Sequence, residues 1–320
     1  MKYVALAALG LCSLASATAL PAGPAQWHSG AEECTPDTTQ TEIQEIDDRT
    51  FVLRQNPCVD YEANLVYLLV GTQRSLLIDT GAVDGTKAAP LVGLVWLALE
   101  RVGAGKSQLL VAHTHGHQDH RAGDQAFSKL PNTLIAPHES AALREALGFS
   151  DWPNGLATID LGGRIVDLIP TPGHHEDHIV FYDRKSRILF TGDFLLQGRL
   201  LVDDLDAYQA SAQRVVDFVK EHPVEQVRGA HIELDITGMA YPGGATFHPN
   251  ERVRPLTALD VNNLPAALAD FNGFYSRHPN FIVVNPIHNL LAVVTGIIVA
   301  LAFLVWLARW LWTRRRLRRG

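Results

Sequence analysis

Read by the spacing of its apolar positions, the chain is a series of short apolar runs punctuated by turn residues, closed by one long uncharged stretch. Residues 42–53 and 62–70 read as strands with a turn at Asn56-Pro57, and residues 75–79 as a buried strand running into Thr80-Gly81. Residues 88–102 have helical spacing and end at Gly103. Residues 109–112 form the next buried strand, and 121–127 read as the start of a helix. A strand over 132–136 leads to a helix over 139–147, and strands over 157–159 and 164–169 flank Gly162-Gly163, a hairpin signal. Strands over 179–182 and 187–190 pair across Asp183-Arg184-Lys185-Ser186. Residues 207–221 make an amphipathic helix, 224–227 a strand, and 262–276 a last helix beyond a loop over 235–255. Strands come in runs and then alternate with helices, and the pattern repeats once. That predicts an α/β (α+β) chain with two sheets packed face to face and helices outside.

The two ends do not fit a soluble core. Residues 1–19 carry Lys2, an apolar run from Tyr3 to Leu14, and small residues in Ala15-Ser16-Ala17 and Ala17-Thr18-Ala19, the pattern of a secretory signal peptide. Residues 20–41 are rich in Pro, Thr and Glu and read as a linker. Residues 290–308 hold no charge, and 19 residues are close to the ~20 needed to cross a bilayer core. Trp306, Trp310 and Trp312 suit an interfacial belt, and the basic residues of the 309–320 tail belong on the cytoplasmic side. A core helix would drag those arginines into the interior. The expected organisation is a signal peptide (1–19), a linker (20–41), one domain (42–289), a membrane span (290–308) and a cytoplasmic tail (309–320). The domain would face the periplasm or the cell exterior, held to the membrane by its C-terminal helix.

Charge and cysteines narrow the partners. Of 27 basic residues, Lys2 and six tail arginines lie outside residues 20–289, which leaves 20 against 34 acidic residues, a net charge of −14. That balance disfavours nucleic acid. Cys34 and Cys58 remain after removal of residues 1–19, and an oxidising compartment allows them to pair.

The chemistry concentrates in His113-Thr114-His115-Gly116-His117-Gln118-Asp119-His120, directly after the strand at 109–112. Imidazole nitrogen and carboxylate oxygen are the ligands that zinc and its neighbours prefer. His115 and His117, two apart on an extended chain, point the same way, and Asp119 and His120 then turn off. One loop can therefore serve two metals. Four more polar positions follow strands: Asp79, His174, Asp193 and His231.

On these residues the chain resembles the metallo-β-lactamase superfamily. The hallmark His-x-His-x-Asp-His stands as His115, His117, Asp119 and His120, the Pro-Gly-His turn as Pro172-Gly173-His174, and the Thr-Gly-Asp as Thr191-Gly192-Asp193. The last histidine matches His231 in Gly229-Ala230-His231, and the early Asp-Thr-Gly matches Asp79-Thr80-Gly81. The resemblance covers roughly residues 42–235 and implies a four-layer αββα sandwich. It implies one metal on His115, His117 and His174, a second on Asp119, His120 and His231, and Asp193 bridging them. The cofactor would be two zinc ions per chain, with iron or manganese as alternatives. Asp119 would act catalytically by orienting a bridging hydroxide. Asp79, His113 and His178 would support the ligands, and Tyr241 and His248 on the later loop are candidates for touching a small-molecule substrate.

The expected reaction is hydrolysis of an ester, lactone or thioester. Aspartate at the bridging position favours the glyoxalase-II-like and lactonase-like branch over true β-lactamases, although an amide or phosphodiester substrate is an alternative. Two other classes remain: a di-iron oxidoreductase, against which His117 argues because such relatives carry Glu there, and a non-catalytic module tethered at the membrane. The fold alone does not select the substrate.

Overall fold

The structure is a computed structural model of the chain and describes residues 26–36 and 38–317; the expected signal peptide, residues 1–19, lies outside them. A first sheet opens with β1 (Thr41–Asp47), β2 (Thr50–Gln55), β3 (Leu65–Val70) and β4 (Arg74–Ile78), all antiparallel neighbours. Helix α1 (Ala89–Arg101) then returns the chain to β5 (Gln108–Ala112), parallel to β4. Two single turns, α2 (Gln118–Arg121) and α3 (Asp124–Phe127), carry it to β6 (Thr133–Ile135) at the sheet edge. Helix α4 (Ser140–Leu147) leads into a second sheet of β7 (Ala157–Asp160), β8 (Ile165–Pro170), β9 (Ile179–Asp183) and β10 (Ile188–Gly192). Strand β11 (Arg199–Leu201) and helix α5 (Leu205–Glu221) precede β12 (Gln226–Gly229), which closes that sheet beside β10. Helix α6 (Ala258–Ala269), strands β13 (Tyr275–Arg277) and β14 (Ile282–Val284) and helix α7 (Pro286–Leu317) complete the chain.

Three apolar layers hold this order together. On β3, Tyr67 and Leu69 face the second sheet and meet Leu168, Phe181 and Phe190 there. The alternate residues Val66, Leu68 and Val70 face away and pack under Leu91, Val95 and Ala98 of α1. Strand alternation thus feeds both faces of a doubly covered sheet, which is why these strands read as unbroken apolar runs. On the far side, Val180, Tyr182 and Leu189 pack under α5 and α6 through Tyr208, Val215, Val261 and Leu264. The result is the expected αββα sandwich.

Several elements differ from the expectation. Residues 42–53 are a hairpin, not one strand, because Asp47 turns the chain by accepting from Arg49 N and Thr50 Oγ1, each at 2.9 Å. The last helix spans Ala258–Ala269 rather than 262–276. A capping box between Thr257 and Asp260 starts it, and the Asn272 side chain accepts from Phe274 N and Tyr275 N after its end. A third small sheet, β11-β14-β13, was not foreseen. Residues 26–36, expected within a linker, pack on the domain: Trp27 is buried and Cys34 is bonded to Cys58. The loop after His231 is pinned beneath by a buried ion pair between Arg54 and Glu251. Helix α7 contains the expected 290–308 stretch, and its Pro286–Trp312 part is long and apolar enough to cross a membrane.

Candidate metal centre

The strand ends build the site. Asp79 follows β4, the His113–His120 stretch follows β5, His174 follows β8, Asp193 follows β10 and His231 follows β12. Two turns need glycine: Gly173 has φ +142, and a Cβ there would lie 2.5 Å from Tyr208. Gly192 has φ +49, and a Cβ would lie 2.6 Å from Thr114, so the chain carrying Asp193 passes directly against the histidine loop.

The seven residues form two groups. In the first, His115 Nε2 lies 2.9 Å from His117 Nδ1, and His174 Nε2 lies 3.2 Å from each of them. In the second, His120 Nε2 lies 3.1 Å from Asp119 Oδ2, and His231 Nε2 lies 3.3 Å from Asp193 Oδ1. Asp193 spans the groups: Oδ1 faces His120 and His231, and Oδ2 stands 3.6 Å from His174 Nε2. The ligand atoms within each group lie within 4.8 Å of one another, the reach of a metal ion.

Outer partners fix which nitrogen points inward. His174 Nδ1 lies 3.0 Å from the carbonyl of Leu201 and His231 Nδ1 2.7 Å from that of Glu62. A carbonyl only accepts, so each Nδ1 carries a proton and Nε2 is the nitrogen that faces the centre. His120 Nδ1 is 2.9 Å from Asp79 Oδ2 in the same way. This is the support that metal-bound imidazoles receive.

Electrostatics agree with a cation site. Burial lowers the pKa of His115 far below the ordinary imidazole range, helped by His120, and lowers His117 with help from His174 and His175. Those rings stay neutral. Burial also opposes charge on His120 and His231, yet Asp193 beside both outweighs it and raises them well above that range. Burial works against ionised Asp193 and Asp119 too, but His231 and His120 hold both carboxyls well below the usual range. These contacts are ion pairs rather than good hydrogen bonds: His120 Nε2 and Asp193 Oδ1 are buried with no hydrogen-bond partner among the described residues. Two carboxylates thus face two imidazolium protons, and a divalent cation carries the charge of the two protons it would displace. The donor set fits a metal ion.

The remaining expected residues fall around this centre. His113 Nε2 lies 3.2 Å from Asp124 Oδ2, away from the inner nitrogens. His178 takes Thr171 Oγ1 on Nδ1 at 2.8 Å and accepts from Asp193 N at 3.3 Å, so it braces the backbone of Asp193. Tyr241 and His248 stack with ring centroids 4.5 Å apart. They line a cleft of about 260 Å³ together with Tyr61, Glu62, Arg199 and Leu201. Sequence reasoning missed Glu62 and Leu201, which act through carbonyls that every residue possesses. It also missed Thr114, whose Oγ1 lies 3.2 Å from both His115 Nδ1 and His120 Nδ1, and Asn64, 3.5 Å from Asp119. Thr114 stood inside the motif, and its place between two ligands was the available signal.

The profile of the metallo-beta-lactamase superfamily matches residues 60–231. The chain is similar to acyl-coenzyme A thioesterase MBLAC2 of Gallus gallus, 29% identical over 205 residues, which covers 53% of this chain and 72% of that protein. It is similar to a hydroxyacylglutathione hydrolase of Rhizobium meliloti, 28% identical over 145 residues, covering 43% of this chain and 52% of the relative, about half its length. A solved metallo-beta-lactamase from Pontibacter korlensis superposes with a TM-score of 0.50 at 18% identity, covering 72% of this chain and all of that one, a likeness of fold.

Proposed function

This chain belongs to the metallo-beta-lactamase superfamily as a hydrolase, and from that premise we propose that it is a dinuclear zinc enzyme cleaving an acyl ester, lactone or thioester outside the cytoplasm. The observation that carries the reading is Asp193, whose two oxygens face two separate ligand groups. His115, His117 and His174 would hold one ion; Asp119, His120 and His231 would hold the other. Bound zinc supplies an activated water and a Lewis acid for the carbonyl oxygen. Asp119, beside His120 and His231, would orient that water. Asp79 and Thr114 fix the ring of His120, and His178 fixes the backbone of Asp193. Substrate lies in the cleft walled by Tyr241 and His248.

The names of the thioesterase and hydroxyacylglutathione hydrolase relatives favour a thioester among these acyl compounds. Helix α7 crosses the membrane once and keeps the domain on the periplasmic or extracellular side. Elemental analysis should find about two zinc ions per chain. Asp193→Ala should lose one or both ions and most turnover of an acyl thioester. One ion or none in intact protein sinks the dinuclear reading, and an Asp193→Ala variant with full metal and full rate removes the bridge.

A further inference from the structure

Helix α7 follows β14 with only Asn285 between them. Its N-cap is Asn285, whose side chain accepts from His288 N at 2.9 Å. His288 Nδ1 donates to Gly273 O at 2.8 Å, and Asn289 Nδ2 to Phe274 O at 3.0 Å, so the first turn is bolted to the segment before β13. The strand entering the helix, β14, lies parallel to β11, with Val284 opposite Leu201. Leu201 is the residue whose carbonyl holds His174, and its side chain lines the cleft. With about 4.8 Å between strands and 3.3 Å per residue, Pro286 starts on the order of 10 Å from Leu201.

The length of the helix leaves no room between domain and bilayer. The 27 residues of Pro286–Trp312 extend about 40 Å at 1.5 Å per residue. That matches a bilayer of ~40–45 Å including its headgroups. The helix therefore enters the headgroups at Pro286 itself. Around that point Phe274, Tyr275 and Ile287 are 46%, 48% and 54% exposed. Aromatic side chains settle at this depth.

We propose that the cleft takes its substrate from the bilayer: an amphiphile whose long acyl chain stays in the leaflet while its ester or thioester carbonyl reaches the metal centre. The inference rests on the hydrolase reading above. In the reaction, water oxygen bonds to the acyl carbon, and the bond from that carbon to sulfur or oxygen breaks. One proton of water goes to the leaving thiol or alcohol, and a fatty acid remains. Tyr61, Leu201, Ile232 and Pro242 give the cleft apolar wall for the chain nearest the carbonyl.

The test uses the full, zinc-loaded chain in phosphatidylcholine vesicles. Its probes are an oleoyl thioester and an oleoyl ester held in the vesicle, each with an acetyl counterpart in water. The oleoyl probe should be turned over at least about tenfold faster than the acetyl one, since tethering raises local concentration; which oleoyl probe reacts separates thioester from ester. A flexible Gly/Ser insert of about eight residues between Asn285 and Pro286 should remove that preference while leaving the acetyl rate and zinc content unchanged. Phe274→Asp with Tyr275→Asp, away from the cleft, should also lower the oleoyl rate alone. Equal rates on both probes, or equal losses in both variants, overturn the inference and leave the hydrolase reading standing. No turnover of any probe by zinc-loaded protein overturns that reading and this one together.

Discussion

Arg164 joins the two sheets through one guanidinium. Its Nε and Nη2 donate to the Asp183 carboxylate at 3.0 and 2.7 Å, and Nη1 donates to the carbonyl of Arg49 at 2.7 Å, across the sandwich. Both side chains are sealed, at 1% and 0% exposure. Burial tends to raise the Asp183 carboxyl, but Arg164 overrides it and holds the group below the ordinary carboxylate range. A depressed folded pKa adds stability above the unfolded value of about 3.9. That stability is lost as pH falls through the folded value. Asp183→Asn leaves the guanidinium buried without its partner, at a cost of about 3–5 kcal/mol near neutral pH. Melting curves in detergent should therefore separate wild type from variant widely at pH 7 and begin to converge only as pH falls below about 4. A gap that stays constant with pH would mean the pair is not what titrates. The same scale sets what could be read in advance. Ligand side chains were legible because each is a polar residue breaking an apolar run at a strand end. The carbonyls of Glu62 and Leu201 were not, because a backbone oxygen has no residue type.

Among elements, legibility follows length. The strands of the two main sheets run four to seven residues apart from β6, and β3, β5, β9 and β10 read as clear apolar runs. Strands β11, β13 and β14 have three residues each, too few to show a period, and they form the sheet that carries Leu201 to His174. The packing of the N-terminal segment was illegible for another reason: it includes backbone bonds to a distant loop. Ala31 N donates to Thr246 O at 3.0 Å and His248 N to Ser29 O at 2.7 Å. The Cys34–Cys58 bond ties the same segment to the β2–β3 loop bearing Tyr61 and Glu62. The segment thus sews together two walls of the cleft. Cys34→Ser should cost about 3 kcal/mol, the loop-closure entropy of a ring of some 25 residues, and should raise KM for an acyl substrate more than it lowers kcat. Denaturation with and without dithiothreitol checks the first part, since reduction should bring wild type down to the variant. Equal stability in the oxidised and reduced states would leave the bond without a structural role.

For the whole molecule, the proposed membrane span makes a prediction about the side on which the metal centre lies. The C-terminal helix exposes apolar residues along its length, and Trp306, Trp310 and Trp312 gather near its far end, where the Arg314 guanidinium lies 4.0 Å over the Trp310 ring. Beyond them the sequence adds arginines at 315, 316, 318 and 319, while residues 20–289 carry a net −14, from 20 basic against 34 acidic residues. Arginines flanking a span stay in the cytoplasm, where the leaflet is anionic. The proposed topology puts the domain on the opposite face, and the Cys34–Cys58 bond supports that proposal, since disulfides persist outside the reducing cytosol. A protease added to the outer face of intact inner-membrane vesicles of native orientation should digest the domain from His115 to His231 and leave a short arginine-rich fragment protected. Inverted vesicles should give the reverse, with the domain intact and only the tail clipped. Protection of the domain in the native orientation would put the metal centre in the cytoplasm. Coenzyme A or glutathione thioesters would then become the substrates to try first.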